Sequence, residues 1–155
     1  MVFQTHNFTL DSATQLKDAG LVAASAAATV SSAAAYHDFG AANAYARFAI
    51  VIDWTACEVA DGNEVYTVQV EGATASAFST VYRLATAKFG DSSVNNQPVD
   101  TTPSGRAVIF ADNVACTSAT DPGSEIACRY VRIYLTVGGT VATGFNYTAW
   151  LVPLP

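Results

Sequence analysis

Charge is what this sequence has least of. Asp, Glu, Lys and Arg make up 13% of its 155 residues, about half the roughly 25% usual in soluble domains. Lysine occurs twice and glutamate four times. The seven bases, Lys17, Arg47, Arg83, Lys88, Arg106, Arg129 and Arg132, are scattered and outnumbered by thirteen acids, for a net charge of −6. Nucleic acid and anionic membrane surfaces both require clustered positive charge, so neither is expected as a partner. Long apolar runs are also missing: nothing approaches the ~18 uninterrupted apolar residues of a spanning helix. Histidine occurs twice and cysteine three times, without HExxH, paired-cysteine or other metal-ligand spacing. No G-x-S-x-G elbow or glycine-rich phosphate cradle is present either.

What is abundant is small and β-prone. The hydrophobic share of 51% includes 29 alanines. Leu, Ile, Val and Phe still sum to 37 residues, enough to argue against disorder, whose composition falls below about one-fifth in these types. Val, Ile and Thr supply 39 residues in short runs bounded by Gly, Asn, Asp, Ser and Pro, which is a strand signature. In 129–137, Val131, Ile133, Leu135 and Val137 alternate with Tyr130, Arg132, Tyr134 and Thr136, predicting a core face and a tyrosine and arginine face. In 46–55, Phe48, Ile50, Ile52 and Trp54 are expected inward and Arg47, Ala49, Val51 and Asp53 outward. In 64–71, Tyr66, Val68 and Val70 are expected inward. Weaker strands are expected at 2–10, 22–30, 80–88, 106–111 and 145–152.

Eight strands without a long amphipathic helix predict an all-β fold, an antiparallel eight-stranded jelly-roll-like sandwich or barrel. One domain over 1–155 fits the length. The Ala/Ser-rich segment within 20–40 is ambiguous: alanine favours helix, but Val22, Thr29, Val30, Ser31 and Ser32 do not, and no apolar stripe forms. An extended segment followed by a turn is expected. Residues 91–105 read as a long, exposed polar loop. The same Ala/Ser stretch resembles a signal-peptide core, but Asp11, Lys17 and Asp18 precede it and leucine is scarce within it. Folding in the cytoplasm is therefore expected, with reduced cysteines; Cys116 with Cys128 is the one disulfide pairing worth testing.

Chemistry is sparse. His6 and His37 have no ligand or nucleophile partner in sequence. Asp53 and Glu71 are the only acids inside confident strands, where solvated outer-face charges are expected rather than a hydrolase pair. Asp61-Gly62-Asn63-Glu64 lacks the length and periodic acids of a calcium loop and reads as a hairpin turn. No catalytic, cofactor-binding or metal-binding residue is assigned, and no enzymatic activity is expected. Tyr and Arg are enriched at protein interfaces while Lys and Glu are depleted, so Arg47, Tyr130, Arg132 and Tyr134 are the interface candidates. Arg132→Ala is expected to weaken docking more than stability.

Three segments resemble a known family. They are DSATQLKDAGLVAASAAATVSSAAAYHDFG (11–40), DGNEVYTVQVEGATASAFSTVYRLA (61–85) and CRYVRIYLTVGGTVATGFNYTAWLV (128–152). Their order, from an alanine and serine segment to an arginine-bearing strand, a glycine turn and a final aromatic strand, is similar to the head decoration, or capsid cement, proteins of tailed bacteriophages, of the small jelly-roll type. The resemblance implies a non-enzymatic structural virion protein, commonly a homotrimer, that binds the capsid exterior and bridges neighbouring major capsid protein subunits. It would be folded in the host bacterial cytoplasm. The 92–104 loop and the region around Cys116 carry none of this pattern. A different reading from the residues alone is a carbohydrate-binding, lectin-like module with Tyr130, Tyr134, Tyr147 and Trp150 as a platform.

Overall fold

The fold was obtained as a computed structural model that describes residues 10–40, 45–117 and 124–155. A 3-10 turn, Ser12–Thr14, leads into β1 (Gln15–Lys17) and β2 (Leu21–Val22). The Ala/Ser-rich segment contributes β3 (Ala26–Ala27), β4 (Thr29–Val30), β5 (Ala33–Ala34) and β6 (His37–Asp38). The long strands are β7 (Arg47–Cys57), β8 (Val65–Ala73), β9 (Tyr82–Gly90), β10 (Gly105–Asp112), β13 (Tyr130–Gly138) and β14 (Phe145–Leu154). A helical turn, α1 (Ser92–Asn95), follows β9, and the short β11 (Val114–Cys116) and β12 (Glu125–Ala127) follow β10.

Two sheets pack face to face. The first runs β1-β14-β7-β10 with β2 also on β14; the second runs β3-β13-β8-β9 with β6 also on β13. Every pairing in them is antiparallel. Counting β1/β2 as the first arm and β3/β6 as the second leaves six long strands as arms three to eight. The first arm then pairs with the eighth, the second with the seventh, the third with the sixth and the fourth with the fifth, which is the wrapping of a jelly roll. The all-β sandwich is as expected, but there are more than eight strands because the first two arms are fragmented. Alanine and serine side chains offer little to pack, so this segment pairs only in two-residue stretches.

That segment is extended, as expected, and reverses at Ser31 and Ser32, whose φ values are 52° and 64°. Two consecutive left-handed residues between β4 and β5 match the two-residue hairpin turn usually filled by Asn-Gly. Asp18 Oδ2 holds it by accepting the Ser31 amide at 2.8 Å.

The core is made by the predicted inward faces. Phe48, Ile50, Ile52, Tyr66, Val68, Val70, Val131, Ile133 and Leu135 are buried, each contributing about 1.5–3 kcal/mol relative to exposure. At one end of the sandwich the rings condense: Phe145 stacks on Tyr66 at 5.2 Å, on Phe89 at 5.1 Å and on Tyr147 at 5.0 Å.

One expectation changes. Ala49 and Val51, expected on the solvent side of β7, are completely buried. They occupy the central strand, with Val51 between Val108 and Trp150 and Ala49 between Phe110 and Val152, so larger neighbours enclose them. The polar loop is largely exposed, as expected, and is anchored at a few points. Asp91 caps α1, Asn95 Nδ2 donates to the Phe89 carbonyl at 2.8 Å, and Trp54 Nε1 donates to the Thr102 carbonyl at 2.8 Å. Cys128 is a buried free thiol against Gly72 while Cys116 is exposed, so the Cys116–Cys128 pairing singled out for testing is not formed. Burial pushes the Cys128 thiol up. The strand expected at 2–10 lies, apart from Leu10, outside the described residues, as does His6.

Candidate functional site

The four interface candidates lie on two opposite outer faces. Tyr130, Arg132 and Tyr134 alternate out of β13 on the second sheet, and Arg47 begins β7 on the first.

On the second sheet the arginines are committed within the chain. Arg132 faces Glu71 across the β13–β8 pairing and donates Nε–H to Glu71 Oε2 at 2.8 Å. Its guanidinium lies 4.3 Å from the Phe78 ring centroid and 5.9 Å from that of Tyr134. Phe78 reaches it because the loop after β8 folds back with Phe78 at φ 50° and buries its ring to 9% exposure. Arg129 grips Asp38 with two donors at 2.7 and 2.9 Å and lies 5.0 Å from the Tyr130 ring. Tyr36 stands edge-on to Tyr130 at 5.5 Å and 6.1 Å from Phe78. The Arg129 hydrogen bonds, helped by the Gly40 amide, lower the Asp38 carboxyl to a pKa of about 2. Gln69 extends the network, donating to Thr136 Oγ1 at 2.8 Å and accepting from Arg83 at 3.3 Å.

The first sheet is different. Asp53 and Arg106 close one end with a two-point pair at 2.6 and 2.7 Å, and Arg47 opposite Asp112 marks the other. Between them the described residues of the outer face are uncharged: Val108, Val51 and Trp150 form one cross-strand row, and Phe110, Ala49 and Val152 the next. Phe110 is 64% exposed. Arg47 makes no ion pair among the described residues. It borders a depression of about 540 Å³ shared with His37, Phe39, Tyr45 and Leu154. Burial lowers the pKa of His37, which packs edge-on to Phe39 at 4.7 Å.

Other sequence-level candidates do not converge. Asp53 and Glu71 are on opposite sheets, each bound to an arginine. Of the four rings considered for a sugar platform, Tyr147 is in the core, Trp150 is on the first sheet, and Tyr130 and Tyr134 are on the second. No family model matches the chain, and no curated protein matches it.

The structure also brings Glu58 to the Asp61–Glu64 turn that the sequence reads as a hairpin. The turn between β7 and β8 brings carboxylate oxygens of Glu58, Asp61 and Glu64 within 4.8 Å of one another. Glu58 lies outside the Asp61–Glu64 turn, and a strand end followed by a turn has no periodicity that would bring it to the other two acids.

Proposed function

We propose that this chain is a non-enzymatic structural protein of a bacteriophage virion that docks on the outside of the assembled capsid and cements neighbouring major capsid protein subunits, as a homotrimer. The observation that carries the reading is the uncharged outer face of the first sheet, on which Phe110 of the edge strand β10 is exposed and which charged residues bound at both ends. An apolar surface with a polar rim is the anatomy of a protein-binding patch. The jelly-roll wrapping and the family resemblance of its segments support the same reading. Many copies bound at once turn a modest affinity per site into strong shell stabilisation.

The docking surface in this proposal is the first sheet, with Arg47 at its edge, rather than the arginine and tyrosine face of the second. The carbohydrate-binding alternative draws no support from the dispersed positions of Tyr130, Tyr134, Tyr147 and Trp150. The test is sedimentation of the purified protein, alone and with empty capsid shells. Trimer formation and co-sedimentation with more heat-resistant shells are expected; a monomer that leaves shell stability unchanged overturns the proposal.

A further inference from the structure

β10 (Gly105–Asp112) is an outer strand of the first sheet, hydrogen-bonded there to β7 alone. Its register against β7 runs without a shift from Gly105 to Asp112. One step further on, the Asn113 amide donates to the Ala46 carbonyl at 3.0 Å. Backbone groups of an antiparallel strand point alternately toward and away from its partner, so the bond at Asn113 fixes the phase. Ala107, Ile109 and Ala111 turn their amides and carbonyls to β7; Arg106, Val108, Phe110 and Asp112 turn theirs away. Among the described residues nothing pairs with the backbone of these four, and no residue of β10 is buried.

An unpaired edge is a template for another strand, and chains protect it with charge, bulges or a covering loop. This chain protects its other long edge in all three ways. β9, the outer strand of the second sheet, carries Arg83 and Lys88, and its register against β8 shifts between Val70 and Glu71. The 91–105 loop lies along it, with Gln97 Nε2 donating to the Lys88 carbonyl at 2.7 Å and the Thr101 amide to the Gly90 carbonyl at 3.0 Å. β10 has none of these devices among the described residues. Between Arg106 and Asp112 it reads Ala-Val-Ile-Phe-Ala, without charge or proline.

The edge is also matched to itself. Its outward backbone groups fall on even positions only, so a second β10 running antiparallel must set even residues opposite even residues. Centred on Ile109, that pairing puts Arg106 opposite Asp112 of the second copy and Val108 opposite its Phe110, and every outward amide and carbonyl of both strands is used. Sliding to the next allowed register puts Arg106 opposite Phe110 or Val114 and strands some of those groups. Both charges are available for the contact. Arg106 gives Nε and Nη2 to Asp53, which leaves other donors of its five, and its side chain is 56% exposed. Exposed Asp112 forms no ion pair among the described residues and accepts the Val114 amide on one oxygen. Opposite charges and apolar side chains facing across an antiparallel pair each stabilise it.

We propose that β10 pairs antiparallel with β10 of a second copy about a twofold axis between the two Ile109 residues, joining the first sheets of both copies into one. Such a self-complementary contact closes at two copies and sets Phe110 beside Val108 of the second copy, so the uncharged outer face runs on from one copy to the next. It is separate from any threefold contact and does not rest on the capsid reading. The test is disulfide trapping and sedimentation of the full chain. Facing residues of a non-hydrogen-bonded antiparallel pair have Cα atoms about 4.5 Å apart, within disulfide reach, so Ile109→Cys in a Cys116→Ser background should give a disulfide-linked dimer under mild oxidation. Val108→Pro removes an amide that faces away from β7, which an edge strand tolerates. Added to Ile109→Cys, it should slow trapping at least about tenfold, the order of two backbone hydrogen bonds lost across the axis. Asp112→Arg, which sets arginine opposite arginine and keeps the whole backbone, should slow it several-fold. Sedimentation of the wild type should show a twofold association step that Val108→Pro removes while its thermal melt stays cooperative. Absence of that step up to about 1 mM, or equal trapping with and without Val108→Pro and Asp112→Arg, overturns the proposal. A trimer lacking the twofold step overturns the seam alone, and a dimer that ignores capsid shells overturns the capsid reading alone.

Discussion

Phe78 and Phe110 each lie beside arginine on an outer sheet face, yet Phe78 is 9% exposed and Phe110 64%. On the second sheet the loop after β8 folds Phe78 over Arg132, Glu71 takes the guanidinium from below, and Arg129, Asp38, Tyr36 and Tyr130 repeat the scheme. On the first sheet the Asp53–Arg106 pair sits at one end, away from the apolar rows. Tyrosine and arginine therefore mark a binding surface only where their own chain has not already used them. The second face is a stabilising network; the first carries the exposed ring of Phe110.

The sharpest way to break this contrast is Phe110→Lys. Its side chain is mostly exposed, so stability should change by no more than about 0.5 kcal/mol, while co-sedimentation with shells should drop at least about a hundredfold, as for a hot-spot residue. Loss of folding, or retained binding, would erase the distinction between the faces. Next is Glu71→Ala, which leaves the Arg132 guanidinium partly buried without its carboxylate; a loss of about 2 kcal/mol is expected, read as a Tm lower by roughly 4–8 °C. Arg132→Ala should cost about 1–2 kcal/mol and leave shell binding intact, reversing the expectation drawn from its residue type alone. Denaturant melts combined with the sedimentation assay separate the two effects.

Acid probes the same network more gently. The Asp38 carboxyl has a pKa of about 2 in the folded chain against about 3.9 unfolded. Between these values the unfolded chain binds more protons, so the contribution of Asp38 is full above about pH 4 and is lost as the pH falls toward 2. Asp38→Asn should flatten that part of the stability profile. The smallest effect is expected for Arg106→Ala on the first sheet, whose exposed pair with Asp53 should be worth less than about 1 kcal/mol, measured by chemical denaturation.

The long strands were legible because each carries a two-residue period with one large apolar face: β7, β8, β10, β13 and β14 stand close to where alternation put them. The first two arms were harder to read. Alanine and serine carry no contrast between faces, so nothing in 20–40 announces the breaks between β3, β4, β5 and β6 or the turn at Ser31 and Ser32. The loop at 91–105 is exposed as its polarity predicts, but its anchor points, Asn95 on the Phe89 carbonyl and the Thr102 carbonyl on Trp54, depend on partners no local pattern names. Arg132 and Tyr134 were identified as outward-facing, and correctly so, but the Phe78 loop that covers Arg132 begins more than fifty residues earlier in the chain.

Composition and alternation by themselves determined the all-β class, the inward faces and the shortage of charge, since these follow from side-chain type and a backbone period of two. Tertiary structure alone decided the jelly-roll wrapping, which outer face is already occupied, and the meeting of Glu58, Asp61 and Glu64 at the β7–β8 turn. Those depend on which distant segments close over one another, and the free energy of that closure resides in contacts between residues that no local pattern links.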